Sequence, residues 1–313
     1  MAALLILILL AGEPLAELKD TQKFRTPGRA VKLESGTLHL FIGGQHSTMP
    51  TVVIDGDLGL PALAWAQLVQ ELSQKTLVVA WDRPGYGWSM LGSQPHDGLS
   101  LMKQLHQALS AQEQMGPFAQ SLGLPPPYLL VGQGLGTAHM RIFANEYPDD
   151  VSGMVLVDCL YPGPGADLLK GRQDQLSTEA WKRRLLLRRL SPEDPPAWLS
   201  DVPADLRGGA EAMLGRFDTA KAESEEVASL DETLRQAEQL RSFGDKPLRV
   251  LRTQIPNDPD LARRLRLDAE LARLSTRGDL QVIPPGPATH AAGSLGQVPP
   301  VLQAIHTALG IPD

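Results

Sequence analysis

The sequence predicts an α/β fold, a mostly parallel sheet covered by helices on both faces and interrupted late by a helical insertion. Three observations carry that prediction. Short apolar runs at 51–54, 76–81, 128–131, 153–157, 247–252 and 280–283 alternate with stretches whose leucines recur at helical spacing. This is the rhythm of strands buried on both faces between crossover helices. Residues 128–147 compress the unit: an apolar run breaks at Gly132-Gln-Gly-Leu-Gly136, after which Leu135, Ala138, Ile142 and Phe143 share one helical face. Between 162 and 243 the strand pattern stops, and Pro192, Pro195, Pro196 and Pro203 punctuate helical text.

In chain order, residues 1–29 form an apolar segment and a linker. The segment 2–11 is Ala-Ala-Leu-Leu-Ile-Leu-Ile-Leu-Leu-Ala, too short for a bilayer-spanning helix of roughly 20 residues. No Lys or Arg precedes it and no small-x-small cleavage site follows it. A weak signal peptide, a truncated anchor giving membrane association, and a helix packed on the body all remain open. Exported and cytoplasmic placements stand even.

Residues 30–161 are the first part of the core. Strands are expected at 30–33 and 37–42, joined at Ser35-Gly36, then at 51–54, where the β-branched run ends in Asp55-Gly-Asp-Leu-Gly59. A helix over 63–72, a strand over 76–81 and a leucine-rich helix within 99–122, interrupted near Gly116-Pro117, lead to the 128–147 unit. Pro148 ends its helix, and a strand over 153–157 closes on Asp158-Cys159. Residues 162–243 are the expected helical cap, with helices over 181–190 and 224–240. Lys182-Arg-Arg184 and Arg188-Arg189 flank Leu185-Leu-Leu187, the text of a cap helix with a solvated basic face or, as the alternative, of a membrane-surface or partner-binding helix. Residues 244–313 resume the core: a strand over 247–252, a helix with Leu267, Leu271 and Leu274 on one face, a strand over 280–283, a loop holding Thr289-His290, and a helix over 298–309.

Composition narrows the chemistry. The 42% hydrophobic and 21% charged residues are those of an ordinary globular chain. A net charge of −7 argues against a nucleic-acid surface. Cys159 is the single cysteine, so neither an intrachain disulfide nor a cysteine metal site is expected, and no cofactor or metal is called for.

The strand-end text resembles the α/β-hydrolase superfamily, and within it serine esterase- or lipase-like bacterial-type members carrying LE-x-G-LGG, YDRAGYGWS and VGHSLGG followed by GLVLVD. The matching residues are Val52-Val-Ile-Asp-Gly-Asp-Leu-Gly59, Ala80-Trp-Asp-Arg-Pro-Gly-Tyr-Gly-Trp-Ser89, Leu130-Val-Gly-Gln-Gly-Leu-Gly136 and Gly153-Met-Val-Leu-Val-Asp158. The resemblance runs from about Pro27 to Leu309 and is weakest in the cap. It implies an eight-stranded sheet, a nucleophile elbow after the fifth strand, and attack by serine with a histidine base, an orienting carboxylate and two backbone oxyanion donors.

Carried over residue by residue, the resemblance places Gly134 at the nucleophile position, His290 at the histidine, and either Asp258 or Asp158 at the acid. The oxyanion donors become the N–H groups of Leu58 and Leu135, with Gln133 beside them. Two departures meet here. Gly134 offers no nucleophile, while glycine suits a strained turn without the cost of about 1–3 kcal/mol borne by other residues. Asp57 stands where the family usually has glycine, and a carboxylate beside a developing oxyanion repels it unless it turns to solvent. The expectation is a non-catalytic or severely impaired homologue, a pseudoenzyme that binds a small apolar or ester-like ligand under the cap, or a protein partner. The alternatives are a hydrolase or proton-transfer enzyme using His290 and an Asp without serine, and an inactivated variant of an active esterase. The sequence sets no oligomeric state.

Overall fold

The computed structural model describes residues 23–24, 26–111, 124–171, 196–214, 216–284 and 298–311. Its centre is one eight-stranded sheet in the order β1-β2-β4-β3-β5-β6-β7-β8. The strands are β1 (Arg29–Leu33), β2 (Gly36–Gly43), β3 (Thr51–Asp55), β4 (Val78–Asp82), β5 (Tyr128–Gln133), β6 (Val151–Val157), β7 (Leu248–Thr253) and β8 (Gly278–Ile283). β1 pairs antiparallel with β2, and β2 antiparallel with β4. Every other pairing is parallel.

The period-2 geometry of strands divides their side chains between two cores. Val53, Leu130, Met154 and Leu156 face one layer. It is packed by α2 (Gly98–Ser110), α3 (Gly136–Glu146), α7 (Leu230–Ala237) and α8 (Leu261–Ala272). Val52, Ile54, Leu129, Val131, Val155 and Val157 face the other. There the covering helices are α1 (Ala66–Leu72), entered through a 3-10 turn at Ala62–Trp65, and α9 (Val298–Leu309). At about 25 cal/mol per Å² of apolar surface, two such layers are the main favourable contribution to folding.

Between β6 and β7 lie α4 (Pro164–Gly171), α5 (Ala204–Met213), α6 (Phe217–Ala228) and α7. The single helix expected over 224–240 is two. Ser229, at φ −93° and ψ 4°, leaves helical geometry between them, so Leu230 and Leu234 turn into the first core. The strand expected over 76–81 is β4, which begins two residues later, at Val78. The expected helix over 181–190, most of the 1–29 segment and the end of the 99–122 stretch lie outside the described residues.

Two helices of this region are bonded to the strand-end loops. Thr219 Oγ1 donates to Gly85 O at 3.0 Å, and Gly98 N donates to Thr233 Oγ1 at 2.9 Å. Asp97 caps α2 by accepting from Leu99 N and Ser100 N, and Gln236 Nε2 of α7 donates to the same carboxylate at 2.8 Å. The carboxyl ends of β3 to β7 open on one side of the sheet, where α/β sheets hold their ligands. α6 sits over that side.

Candidate functional site

The unit at 128–147 is a strand–turn–helix. β5 ends at Gln133, Gly134 takes φ +55°, and α3 begins at Gly136. Positive φ at Gly134 is the conformation that L side chains rarely adopt. Gly136 answers a different demand: a Cβ there would stand 2.7 Å from Gly56 O and 2.8 Å from Asp55 C, so the helix start can lie against the β3 loop only without one. Gly136 N donates to Gly56 O at 3.1 Å, fastening elbow to loop. Thr137 Oγ1 donates to Gly134 O at 2.7 Å and accepts from Leu160 N at 3.3 Å. That hydroxyl is consumed in building the turn.

The N–H groups of Leu58 and Leu135 converge, as two oxyanion donors must. They converge on the protein's own Asp57. Leu58 N and Leu135 N each donate to Asp57 Oδ1 at 2.8 Å. The side chain lies directly over the elbow glycine. A Cβ at position 134 would overlap Asp57 Cγ and Oδ1 and stand 2.6 Å from Oδ2. Asp57 is half-buried, and burial pushes its carboxyl above the usual range. The two N–H bonds and the Arg83 charge pull it back only in part, and Asp158 adds to the rise. The sequence left open a carboxylate turned to solvent; the two donors, otherwise orphaned, draw it inward.

Beneath Asp57 lies a network joining four parts of the chain. Arg83 Nη1 donates to Asp55 Oδ1 and to Gly56 O, each at 2.9 Å, and Nη2 donates to Asp57 O at 2.8 Å. Arg83 Nε reaches Glu226 Oε1 of α6 at 3.0 Å, and Tyr86 OH donates to Glu226 Oε2 at 3.1 Å. Asp55 also accepts from Trp81 Nε1 at 3.1 Å and pairs with His139 Nδ1 at 2.7 Å. Burial opposes the Asp55 charge, but Arg83 and His139 outweigh it and hold the carboxyl below the usual range. One guanidinium thus fixes the backbone of the 55–57 loop and ties α6 to it.

The two acid candidates are both engaged. Asp158, at φ +52° after β6, accepts from Thr253 N at 2.8 Å and from Thr253 Oγ1 at 2.7 Å. Asp258 accepts from Asp260 N at 2.9 Å and pairs with Arg264 Nη1 of α8 at 3.1 Å. His290 lies outside the described residues, so neither pairing with it is visible. Gln133 ends β5, half-buried beside the turn.

Other hydroxyl and thiol groups near the strand ends are committed elsewhere. Ser89 Oγ, fully buried, donates to Asp82 O at 2.6 Å and accepts from His39 N at 2.8 Å. The Cys159 thiol is buried and pushed up to about 12, chiefly by burial, which keeps it a small hydrophobe rather than a thiolate. Among the described residues no group of three or more His, Cys, Asp or Glu is placed to hold a metal ion. No helix among them is long and apolar enough to cross a membrane.

Comparison with known proteins agrees with this fold. The model of the alpha/beta hydrolase family matches residues 40–295. The chain belongs to that family. Solved structures place the fold in the same company. A hydrolase from Pseudomonas aeruginosa PA01 superposes with a TM-score of 0.61 at 17% identity, covering 90% of this chain and 98% of that one. The enol-lactonase from Burkholderia xenovorans LB400 gives 0.58 at 17% identity, over 90% and 100%. At such identities the likeness is one of fold. Among curated proteins, a Schizosaccharomyces pombe protein described as uncharacterized is 38% identical over 88 residues, 28% of this chain and 14% of that protein. The uncharacterized protein YbdG of Bacillus subtilis (strain 168) is 21% identical over 175 residues, 54% and 51%. The chain spans about half or less of these relatives' length.

The buried Arg83–Asp55–Glu226 network escaped the sequence reading. Its one local signal is Asp82-Arg83 at the end of an apolar strand; Glu226 lies 143 residues away.

Proposed function

We propose that this chain is an α/β-hydrolase family member without serine-dependent ester hydrolysis, which keeps its strand-end pocket to bind a small apolar or ester-like ligand. One observation carries the reading: the Asp57 carboxylate rests on both oxyanion donors, directly over Gly134. Loss of the nucleophile alone costs a serine hydrolase such as subtilisin roughly 10⁶ in kcat. Losing one oxyanion donor costs about 10²–10³, and here a carboxylate occupies both. A substrate acyl oxygen would have to displace a charged group to reach the hole, then develop negative charge beside it.

The test is an assay of the unmodified protein against short- and medium-chain esters, alongside thermal unfolding with medium-chain alcohols and esters as non-reacting ligands. The expected result is background hydrolysis with a ligand-dependent rise in Tm, since a ligand that binds only the folded state stabilises it by mass action. Strong hydrolysis abolished by His290→Ala would contradict the proposal. So would an unchanged Tm across the ligand series.

A further inference from the structure

The chain entering β1 is held to the sheet by a histidine. His39 of β2 is fully buried and lies opposite Asp82 of β4 in the sheet register. Its Nδ1 meets Asp82 Oδ2 at 2.6 Å, and its Nε2 meets the carbonyl oxygen of Pro27. Both partners are acceptors. Asp82 Oδ1 also accepts from Ala62 N at 2.7 Å and Oδ2 from Trp88 N at 3.1 Å, the pattern of an ionised carboxylate. A neutral imidazole carries one N–H and one lone pair, so it can serve only one of the two partners. The imidazolium donates to both.

The segment so held also touches the insertion between β6 and β7. Just ahead of Pro27, the Phe24 side chain rests on a glycine pair of α5. A Cβ on Gly208 would stand 3.1 Å from Phe24 Cε1, and one on Gly209 would stand 3.3 Å from Phe24 Cβ and 3.1 Å from Trp88 Cζ2. Phe24 and Trp88 thus meet on the same helix. Trp88 in turn packs on His39, with ring centroids 5.5 Å apart. Arg216 Nη1, at the start of α6, donates to Gly87 O at 2.8 Å and fastens the end of α5 to the Trp88 loop. The contacts close a circuit from His39 through Pro27, Phe24, α5 and Trp88 back to His39.

We propose that the His39 imidazolium is a pH-operated latch: protonated, it clasps the segment ahead of β1 to the sheet and so keeps Phe24 seated on α5; on losing its proton it releases the segment and loosens α5 while the core stays folded. The remaining N–H stays with the Asp82 carboxylate, the stronger acceptor, and a lone pair is left facing Pro27 O. Burial opposes the His39 charge, but the hydrogen bond and charge of Asp82, with the Pro27 carbonyl, outweigh it and raise the titration above the ordinary 6.5. The latch is therefore closed below 6.5 and opens as pH rises through the raised titration. Among the described residues Asp82 is the charged group that acts on the ring. From β1 the cross-strand neighbour is Ala30, and from the loop after β4 Ser89 Oγ accepts from His39 N. The cations on the circuit act elsewhere, Arg216 on Gly87 O and Lys23 over the Phe24 ring.

The latch is independent of the ligand reading, and its test uses no ligand. Amide hydrogen exchange of the full-length protein is measured from about pH 6 to pH 10 and corrected for intrinsic rates, with the His39 ring titration followed by NMR. The expected result is a ring titrating above 6.5, with protection of peptides 24–33 and 204–213 falling about tenfold or more through that same titration, the factor carried by one unit of raised value. Protection over 128–146 stays constant. His39→Gln, which can still donate to Asp82 but does not titrate, abolishes the step in both peptides. Phe24→Ala keeps the step in 24–33 and leaves 204–213 poorly protected at every pH, which decides the coupling even if His39→Gln folds poorly. A ring titrating at or below 6.5 overturns the proposal, as does protection that stays flat through the titration. So does a step that persists in His39→Gln, or an α5 that keeps its protection while 24–33 loosens.

Discussion

Asp55 and Asp57 stand two residues apart at the same strand end, yet the protein treats them oppositely. Asp55 is fully buried and met by Arg83, His139 and Trp81. The Arg83 guanidinium favours its ionised form, and it serves as a joint of the fold. Asp57 is met at its carboxylate by two backbone N–H groups, with further negative charge nearby. Burial pushes its proton affinity up, and the two N–H groups and the Arg83 charge offset that only in part. The difference lies in the partners: Asp55 is bonded to side chains that hold loops in place, whereas Asp57 rests on two backbone N–H groups.

That contrast is tested most strongly by removing the cation. Arg83→Met leaves Glu226 with only the Tyr86 hydroxyl and Asp55 with only His139 and Trp81, and the stability read by urea unfolding is expected to fall by about 3–5 kcal/mol, as when one partner of a buried pair is lost. Asp57→Asn, on the same loop, keeps an oxygen for the two N–H donors and removes a burdened charge, so its stability should match or exceed the unmodified protein's. An equal loss in both variants would erase the distinction.

A smaller effect is expected at Gly134. Gly134→Ala places a Cβ against Asp57 and a side chain at φ +55°, a cost of about 1–3 kcal/mol from backbone strain before the clash. Combining it with Asp57→Gly should recover the clash part, giving a non-additive cycle. Additivity would mean that Asp57 does not lie over the glycine.

The pH response should also divide. Asp55, with its folded titration below the ordinary aspartate value of 3.8, contributes stability that is present above that value and lost as pH falls through the lower folded titration. Asp57 is raised, so the native state binds the extra proton. Its contribution is greatest at low pH and declines as pH rises from about 3.8 through the raised titration. The stability of Asp57→Asn minus that of the unmodified protein should therefore grow from acid toward neutral pH. A flat difference would contradict the burial of Asp57. The smallest change expected is Arg264→Ala, which frees Asp258 from a partly exposed pair and should cost less than about 1 kcal/mol.

How legible the molecule was in its sequence depended on range. The 128–147 unit and α9 could be read because their signals are local: an apolar run, glycines at a turn, leucines at helical spacing. The break at Ser229 could not, because serine tolerates helical geometry and the preference of Leu230 for the core is a tertiary matter. The positions of Leu58, Leu135, Gly134 and Asp57 near one another followed from motif order. The direction of the Asp57 side chain did not, since it is decided by two N–H donors, one of them on Leu135, 78 residues along the chain from the carboxylate. Likewise Glu226 reads as one more acid on a charged helix until Arg83 is beside it.

The central claim is that the Asp57 carboxylate fills the space over Gly134 between the N–H groups of Leu58 and Leu135. Serine-directed fluorophosphonate labelling of Gly134→Ser, compared with Gly134→Ser combined with Asp57→Gly, tests it most directly. The account predicts that the single variant stays unlabelled, because the restored side chain and the carboxylate need the same space, and that the double variant gains label once the hole is cleared. Full labelling of the single variant with Asp57 in place would contradict it.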